Sequence, residues 1–340
     1  MREGVPTGPC APVFRSASAS DARPPPGRPL TGADAAVFVL LGALALDLAF
    51  GDPPNRWHPV AWIGSALARG RRRWQRGGRA RLLIAGGALT LGVAAGSAMV
   101  AGAVTYVARA LGIAGLAVEA IALSTLLSVR GLVAAARIVE RHLAAGDLAA
   151  ARDAVGTHLV SRETRELDEA YVASATVESV AENLTDSVVA PACFYLAFGL
   201  PGAAFYRAIN TADAMIGYRD DALEHFGKIA ARLDDLLNVI PARLGAASIV
   251  TAAFMPGFDA RRAWGVLRRD RRRTASPNAG WTMSAMAGAL DIALEKRDAY
   301  RLGDGSLPTR GHIPRAIDLF ARATALGVAV LLSVRILVGR

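Results

Sequence analysis

The chain has 340 residues, of which 53% are hydrophobic and only 6% aromatic, and its net charge is +10. This Ala-, Val-, Leu- and Gly-rich composition argues against a soluble β-sandwich and favours a helical membrane protein. The positive charge is almost wholly Arg and concentrates at 69–81 and 261–273, without the interleaved aromatic residues that would favour nucleic-acid binding. Arg clusters beside apolar runs instead indicate cytoplasmic segments in contact with anionic lipid.

The first 32 residues form a Pro-, Ala- and Ser-rich stretch. Such a stretch buries too little apolar area to offset its chain entropy, so we predict that it is disordered. It lacks the continuous apolar segment of a signal peptide. Residues 33–340 are predicted to form a single membrane-embedded helical catalytic domain. The two cysteines, Cys10 and Cys193, cannot form a disulfide framework and lack metal-ligand spacing.

Apolar runs that follow this extension predict four membrane spans: Ala35 to Phe50, Leu82 to Ala108, Leu111 to Val129 and Leu319 to Val338. Two further runs, 188–206 and 244–258, are doubtful. The first is interrupted by Gly199-Leu200-Pro201-Gly202, so we predict a re-entrant or interfacial hairpin that does not cross. The predicted fold class is all-α: a polytopic integral membrane protein with about four spans, re-entrant or interfacial helices, and cytoplasmic helical segments over 130–187, 207–238 and 257–318.

The loop at 47–60 is more polar and more rigid than a simple membrane anchor needs. Asp47 and Asp52 flank a glycine turn, two prolines follow, and His58 comes before a third. The prolines limit the separation of Asp52 and His58. We predict that the loop folds over the catalytic residues and presents His58 for proton transfer. The alternative is that Asp52 caps the following turn and His58 only lies at the membrane interface.

A helical stretch, 175–189, carries Glu178, Glu182 and Asp186 at positions i, i+4 and i+8. These acids share one face with Asn183, and apolar side chains share the opposite face. Like charges at this spacing repel by a few tenths of a kcal/mol per pair, and no cation stands between them in the sequence. A divalent cation, an Arg from elsewhere or water must offset the repulsion. The alternative to a functional site is a solvated helix face.

Two later segments carry further polar candidates. Asn210 and Asp213 are oxygen donors one helical turn apart, suited to Mg²⁺ but too few to define a site. We expect Gly217 to end their helix. Ser276-Pro277-Asn278 precedes an apolar run that begins near Trp281, which is typical of a capped helix N-terminus. Such an end can also bind phosphate.

A second amphipathic helix is predicted over 226–238 and is expected to end before Pro241. It places Lys228, Arg232 and Asp235 on one stripe, with apolar residues opposite. Lys228 is one of only two lysines in the chain, and it lies near an acid pair. A surface row of ion pairs is the alternative to a functional role.

Several of these motifs, taken in order, resemble the CobD/CbiB family of cobalamin biosynthesis. The matching pieces are Gly51 to Pro53 with His58 to Val60, Ala173 to Pro191, Tyr206 to Tyr218 with Ala231 to Asp235 and Pro241 to Leu244, and Ser276 to Asn278 with Gly288 to Leu290. After Asp291 the likeness weakens, because a highly charged segment, 295–311, replaces the family's glycine-rich stretch and Tyr-Gly pair.

The resemblance implies an integral-membrane adenosylcobinamide-phosphate synthase. Such an enzyme joins a propionate carboxyl of adenosylcobyric acid to an amino-alcohol phosphate, such as aminopropanol phosphate, through an amide bond. The implied cofactors are Mg²⁺ and ATP, with a corrinoid as substrate. The implied location is the cell membrane, multi-pass, with the active site facing the cytoplasm. Other cobalamin-pathway enzymes are expected partners, together with membrane lipid, and nucleic acid is not.

Chemistry and resemblance together assign three sets of candidate residues. The catalytic set is His58, Asp52, Glu178, Glu182 and Lys228. The substrate- and phosphate-binding set is Arg207, Arg219, Arg232, Arg243, Ser276 and Asn278. The metal-binding set is Glu178, Glu182, Asn183, Asp186, Asn210, Asp213, Asp234 and Asp235.

Two other functions are weighed against this one. Asn210-x-x-Asp213 with later paired acids loosely resembles the Mg-diphosphate motifs of membrane prenyltransferases, although those enzymes need roughly twice as many spans as the four predicted here. A membrane scaffold that docks soluble cobalamin enzymes is the other alternative. The sequence contains no Gly-x-x-x-x-Gly-Lys-(Ser/Thr) loop, so it does not reveal how ATP would bind.

Overall fold

The computed structural model describes residues 32–217 and 223–339, and most of these residues are helical. The helices are α1 (Gly32–Phe50), α2 (Pro59–Trp74), α3 (Arg79–Ala110), α4 (Ile113–Ser124), α5 (Val129–Ala144), α6 (Leu148–His158), α7 (Glu169–Leu184), α8 (Ala190–Ile216), α9 (Lys228–Leu237), α10 (Val239–Ala252), α11 (Ala260–Asp270), α12 (Ala279–Leu290) and α13 (His312–Val338). A 3-10 turn, Asn55–Trp57, precedes α2, and a π-helical segment, Thr185–Val189, joins α7 to α8.

Four helical runs in the described ranges are long and apolar enough to cross a membrane: Arg79–Ala110, Ile113–Ala144, Glu169–Ile216 and His312–Val338. The shortest has 27 residues. At 1.5 Å per residue it extends about 40 Å, which exceeds a hydrocarbon core of ~30 Å. The predicted all-α polytopic class is confirmed. An antiparallel hairpin of β1 (Leu294–Lys296) and β2 (Tyr300–Leu302), which the sequence did not predict, lies in the charged segment before α13.

These four candidate spans differ from the four predicted spans in one member. The predicted first span folds as α1 but is not among the four, whereas the run through α7 and α8 is. The last turn of α1 carries Asp47, whose 1% exposed carboxylate accepts hydrogen bonds from the backbone N–H groups of Val129 and Arg130. This end of α1 therefore contacts protein and caps the start of α5.

The predicted span over 111–129 corresponds to the first part of the candidate span Ile113–Ala144, and the helix is interrupted near its end. Helix α4 stops at Ser124, and residues 125–128 interrupt the run before α5 begins at Val129. The backbone N–H of Ser128 donates to the carbonyl of Ser187 at 3.2 Å. The interruption thus brings the joint between α4 and α5 against the π-helical segment.

The Gly-Leu-Pro-Gly sequence reverses the direction of α8, so that its two halves form a helical hairpin. Gly199 adopts φ 70° and ψ −166°, a conformation that a residue with a Cβ rarely takes. The Phe194 and Tyr206 rings stack with centroids 5.1 Å apart, and Arg207 donates to the carbonyl of Asp186 at 3.1 Å. A straight helix would separate residues 186 and 207 by about 30 Å. The predicted helical hairpin is therefore observed, and the statement that 188–206 does not cross stays a prediction.

The predicted helix over 226–238 is observed as α9, and Gly217 ends α8 as expected. Pro241 does not end α9, because Asn238 already separates it from α10. Pro241 lies instead in the first turn of α10, where a missing N–H costs no intrahelical hydrogen bond.

The largest core surrounds α7, in which every residue from Val172 to Ala181 is buried. Helices α5, α12 and α13 pack around it, mostly through alanines and branched aliphatic side chains. A separate close approach joins α3 to the turn before α9, where a Cβ added to Gly86 would lie 1.7 Å from the carbonyl oxygen of Phe226. These two contacts fix α7 and α9, which carry most of the predicted site.

Candidate active site

A small polar cavity lies where the end of α7, the π-helical segment, α9 and the start of α12 meet. Its volume is about 20 Å³, compared with the ~10–15 Å³ that one water needs. Three carboxylates line it, those of Glu182, Asp186 and Asp234. The other lining residues are Thr185, Asn238, Ala242, Ser276, Asn278, Ala279 and Thr282. We call this space the acid cavity.

The π-helical segment positions Asp186 on the cavity wall. A π turn places one extra residue in a helical turn, and such turns are frequent at functional sites. Contacts on both sides hold this one in place. The hydroxyl of Ser187 donates to Asn183 Oδ1 at 2.9 Å, and its carbonyl accepts from the N–H of Ser128. The α4–α5 joint therefore supports the turn that carries Asp186.

Asn238 bridges two of the acids. Its amide nitrogen donates to Asp186 Oδ1 at 3.2 Å and to Asp234 Oδ2 at 3.0 Å. The buried hydroxyl of Tyr206 donates to Asn238 Oδ1 at 2.9 Å, and the amide of Asn210 donates to Asp234 Oδ1 at 3.2 Å. All these donors are neutral, so they orient the two carboxylates without compensating their charge.

Asp234 is the acid of the cavity that lies on α9, outside the candidate spans, and it is only 9% exposed. Burial raises the pKa of its carboxyl group to about 6. Hydrogen bonds from Asn210 and Asn238 oppose that rise in pKa, and the negative charge of Asp235 adds to it. An ionised carboxylate at this position is poorly stabilised by water, so it would favour a nearby cation.

Within the described ranges, no Lys, Arg or His side chain forms an ion pair with Glu182, Asp186 or Asp234. Arg207 donates to the backbone carbonyl of Asp186 at 3.1 Å rather than to its carboxylate. The buried hydroxyl of Thr185 lacks a hydrogen-bond partner. Oxygen donors without a counter-charge are the kind that Mg²⁺ prefers, so the donor chemistry of the cavity fits a hard divalent cation.

The same side chains do not form a ready-made metal cage. Among the residues that the structure describes, no group of three or more His, Cys, Asp or Glu side chains is arranged to hold a metal ion. The hydrogen bonds of Asn238 and Asn210 occupy carboxylate oxygens that a metal would use. A metal ion would therefore have to replace some of these hydrogen bonds in order to bind the acids.

A cationic cluster adjoins the cavity wall at Asn278. Arg243 donates to Asn278 Oδ1, and its guanidinium lies over the ring of Trp281, 4.5 Å from the ring centroid. Arg271 lies over the same ring at 5.0 Å. No carboxylate in the described part of the chain pairs with either guanidinium. Two cations on one aromatic ring without a counter-charge are chemically suited to bind an anionic group.

Ser276 and Asn278 bind the end of α9 instead of capping α12. The hydroxyl of Ser276 donates to Asp235 Oδ1 at 3.1 Å, and the amide of Asn278 donates to the Asp235 carbonyl at 2.6 Å. The side chain of Asn278 makes no capping bond to α12, although this helix begins at Ala279 as expected. The predicted capping role is therefore wrong, because the asparagine side chain is used between helices.

The loop after α1 joins Asp52 to His58 and to the α4–α5 joint. His58 Nε2 lies 3.3 Å from Asp52 Oδ1, and His58 Nδ1 accepts the backbone N–H of Val60, which caps α2. The hydroxyl of Ser128 donates to Asp52 Oδ2 at 3.1 Å. Burial alone would raise the pKa of Asp52, but the contacts with His58, Ser128 and Arg207 lower it below its usual value. Both nitrogens of His58 are thus engaged, and His58 rather than Asp52 is the cap.

The family model described as CobD/Cbib protein matches residues 40–326. The chain belongs to the CobD/CbiB family. The match includes the loop of Asp52 and His58 and every residue that lines the acid cavity. No solved structure matches the chain.

Curated relatives of this CobD/CbiB chain cover most of its length. It is 43% identical over 268 residues to the "probable cobalamin biosynthesis protein CobD" of Methanothermobacter thermautotrophicus. The aligned region covers 79% of this chain and 87% of that relative. It is 39% identical to the cobalamin biosynthesis protein CobD of Dehalococcoides mccartyi, over 80% of this chain and 88% of that one. It is 37% identical to the probable cobalamin biosynthesis protein CobD of Pyrococcus abyssi, over 85% of this chain and 93% of that one.

In this CobD/CbiB fold, eight of the predicted site residues lie in or beside the acid cavity: Glu182, Asp186, Asp234, Ser276, Asn278, Asn210, Arg207 and Arg243. Glu178 does not line it. The carboxylate of Glu178 accepts hydrogen bonds from Arg162 at 3.2 Å, Tyr300 at 2.9 Å and Ser174 at 2.8 Å. Of the three ways to offset the charge of the stripe, an Arg from elsewhere is the one observed at Glu178.

The remaining predicted residues have other surroundings. Asn183 bonds Ser179 and Ser187 of its own helical run, and Asp235 bonds Ser276. Asp213 follows Asn210 by one turn and does not line the cavity. Lys228 and Arg232 line a separate groove against α3. Arg219 lies outside the described residues.

Several residues of this site carried no assigned role in the sequence. Asn238 could have been found, because it follows Asp234 by four positions and so shares its helix face. Tyr206 belonged to a recognised motif without a role. Arg162 and Tyr300 gave no signal, because their contacts with Glu178 come from other segments of the chain. Arg271 was noted only as part of the Arg cluster at 261–273.

Proposed function

We propose that this CobD/CbiB protein is the adenosylcobinamide-phosphate synthase of cobalamin biosynthesis. It would form an amide between adenosylcobyric acid and an amino-alcohol phosphate, at the expense of ATP. The observation that carries the proposal is the acid cavity with unpaired arginines beside it, in a chain of this family. The names of the relatives support a role in cobalamin biosynthesis.

The reaction needs activation, because a carboxylate and an ammonium do not condense at neutral pH. In the proposed sequence, a corrin carboxylate oxygen attacks the γ-phosphorus of ATP and ADP leaves. The amine then attacks the acyl carbon, the C–O bond to phosphate breaks, and inorganic phosphate leaves as the amide forms. The amine gives up a proton, which passes to a cavity carboxylate or to water. Charge stabilisation and positioning supply most of the catalysis in such phosphoryl transfers.

The acid cavity would hold the metal ion. Glu182, Asp186 and Asp234 are the carboxylates that face it without a cationic partner in the described ranges. Mg²⁺, when bound there, would neutralise phosphate charge. Asn238 would exchange a carboxylate contact for a new partner, since its amide now donates to both Asp186 and Asp234.

Arginines around the cavity would hold the anionic groups of the substrates. Arg243 of α10 and Arg271, which follows α11, both lie over the Trp281 ring and have no carboxylate partner in the described chain. Arg207 is fixed by the Asp186 carbonyl and stands on the side of the Asp52 loop. These three positions would orient a phosphate and a corrin carboxylate against the acids, which is the positioning that the reaction needs.

The proposed location is the cell membrane, with the acid cavity open to the cytoplasm. The four candidate spans support membrane insertion, and the Arg clusters support this orientation. A cysteine placed at Glu224, which is exposed, tests it in a chain whose Cys10 and Cys193 are replaced by Ser. A membrane-impermeant maleimide added to intact cells should leave this cysteine unlabelled and should label it after lysis. Labelling from outside would contradict the orientation.

A reconstituted assay tests the function. Purified protein in detergent would receive adenosylcobyric acid, aminopropanol phosphate, ATP and Mg²⁺, with product mass and ADP release as readouts. We expect a corrinoid product with the mass of the amide and one ADP per product. Omitting the amine or Mg²⁺ is the control. A folded protein that forms no product, yet co-purifies with soluble corrinoid enzymes, would support the scaffold alternative instead.

A further inference from the structure

A groove with an apolar floor and a basic rim lies between the first turn of α3 and one face of α9. Its volume is about 530 Å³, within the ~300–1,000 Å³ of typical small-molecule sites. Leu83 of α3 and Ile229, Leu233 and Leu236 of α9 form the floor. None of its lining residues lines the acid cavity. We call this space the basic groove.

The rim of the basic groove carries uncompensated positive charge. Arg79, Lys228 and Arg232 line it, and no acidic residue does. Arg232 approaches the carboxylate of Asp235 only at 3.9 Å, with 69% of its side chain exposed. Among the described residues, no carboxylate pairs with Arg79 or Lys228. The groove is therefore electrostatically matched to an anion.

The groove also lies at the level where a membrane surface is expected. Arg79 is the first residue of the candidate span Arg79–Ala110 and belongs to the first Arg cluster, 69–81. Leu236 of the floor is 67% exposed, and the nearby positions Ile84 of α3 and Ile240 of α10 are 71% and 75% exposed. An apolar surface of this kind, beside basic residues at the end of a span, suits acyl chains below and headgroups above.

We propose that the basic groove is a specific binding site for an anionic phospholipid. The headgroup phosphate contacts Arg79, Lys228 and Arg232, and an acyl chain lies along Leu83 and Leu233. A soluble phosphate could satisfy the rim but would leave the floor exposed to water. The combination of rim and floor therefore selects a lipid, and it gives Lys228 and Arg232 a role outside the catalytic chemistry.

Binding of a fluorescent phosphatidylglycerol to the purified full-length protein in detergent tests the proposal. The groove variant is Arg79→Gln with Lys228→Gln. The matched control is Arg72→Gln with Arg73→Gln, which removes the same charge from exposed positions of α2 that do not line the groove. We expect the groove variant to bind on the order of thirtyfold more weakly, and the control to change less than about threefold.

Two further measurements separate the possible ligands. Leu83→Ser should weaken lipid binding while leaving the rim charge unchanged, and inorganic phosphate or aminopropanol phosphate should not displace the lipid. Equal binding by the groove and control variants would overturn the proposal, as would full displacement by either soluble phosphate. If the double variant elutes as an aggregate, Arg79→Gln alone, at an exposed first-turn position, carries the same comparison.

Discussion

Glu178 and Glu182 lie one turn apart on α7, yet their surroundings are opposite in charge. Glu178 is 5% exposed and is held by Arg162, Tyr300 and Ser174. Glu182 faces the acid cavity and has no ion-pair partner among the described residues. The difference indicates that α7 uses the same residue type for two purposes. The carboxylate of Glu178 connects α7 to the β1–β2 hairpin through Tyr300, and the carboxylate of Glu182 remains available for a ligand.

The largest expected effect comes from removing the available carboxylate. Glu182→Gln keeps the side-chain shape and loses the charge, so turnover should fall on the order of 10²–10³-fold, as when a single charge-stabilising group is removed from an active site. The measurement is the steady-state rate against Mg²⁺ concentration. Glu169→Gln, an exposed position on the same helix, is the control. Wild-type rates with an unchanged Mg²⁺ dependence would remove Glu182 from the mechanism.

The opposite outcome is expected for the paired carboxylate. Arg162→Met leaves Glu178 buried without its guanidinium, which typically costs about 3–5 kcal/mol of unfolding free energy. The fall in Tm should be large, whereas turnover per folded molecule should change only a few-fold. Adding Glu178→Gln should recover part of the stability, because it removes the unpaired charge. An unchanged Tm in Arg162→Met would mean that the pair does not stabilise the fold.

A second paired acid extends the comparison to pH. Asp270 is fully buried and accepts hydrogen bonds from Arg269 and from the N–H of Gly303. Burial tends to raise the pKa of Asp270, but these bonds and the nearby arginine charges lower it below its usual 3.8. The stability it contributes is therefore complete above that value and is lost as the pH falls through the lower folded pKa.

Asp270→Asn should accordingly lower the unfolding free energy by about 2 kcal/mol at pH 7. The difference in unfolding free energy between variant and wild type should become smaller at acidic pH, below the usual pKa of Asp. Denaturant unfolding at several pH values provides the measurement. A difference in unfolding free energy that stays constant down to pH 3 would show that ionised Asp270 does not stabilise the fold.

The smallest effect is expected at His58. Both ring nitrogens are engaged, one by the Val60 N–H and the other near Asp52, so His58→Gln should cost about 1 kcal/mol of stability through the lost cap. A proton-transfer role would instead lower kcat by roughly 10²–10⁴-fold and remove an ionisation from its pH profile. The kcat of the folded fraction decides between these two roles, and a deep loss would restore His58 to catalysis.

The sequence predicted those parts of the fold that depend on local pattern. Apolar length gave the membrane class, and helical spacing placed Glu182 and Asp186 on one face. Contacts between distant segments were not predictable in this way. Arg162 reaches Glu178 across 16 residues and Tyr300 reaches it across 122, and no spacing rule covers such distances. The π-helical segment likewise depends on tertiary support from Ser128 rather than on a local signal.

The capping of α5 by Asp47 has a consequence for how the protein is made. Asp47 binds the N–H groups of residues that come 82 and 83 positions later, and Asp52 binds Ser128. Chains emerge from the ribosome N-terminus first. The loop of Asp52 and His58 therefore cannot reach its final conformation until α3, α4 and the beginning of α5 have been synthesised. Its completion is tied to the insertion of the next two helical runs, so half-made chains lack this part of the site.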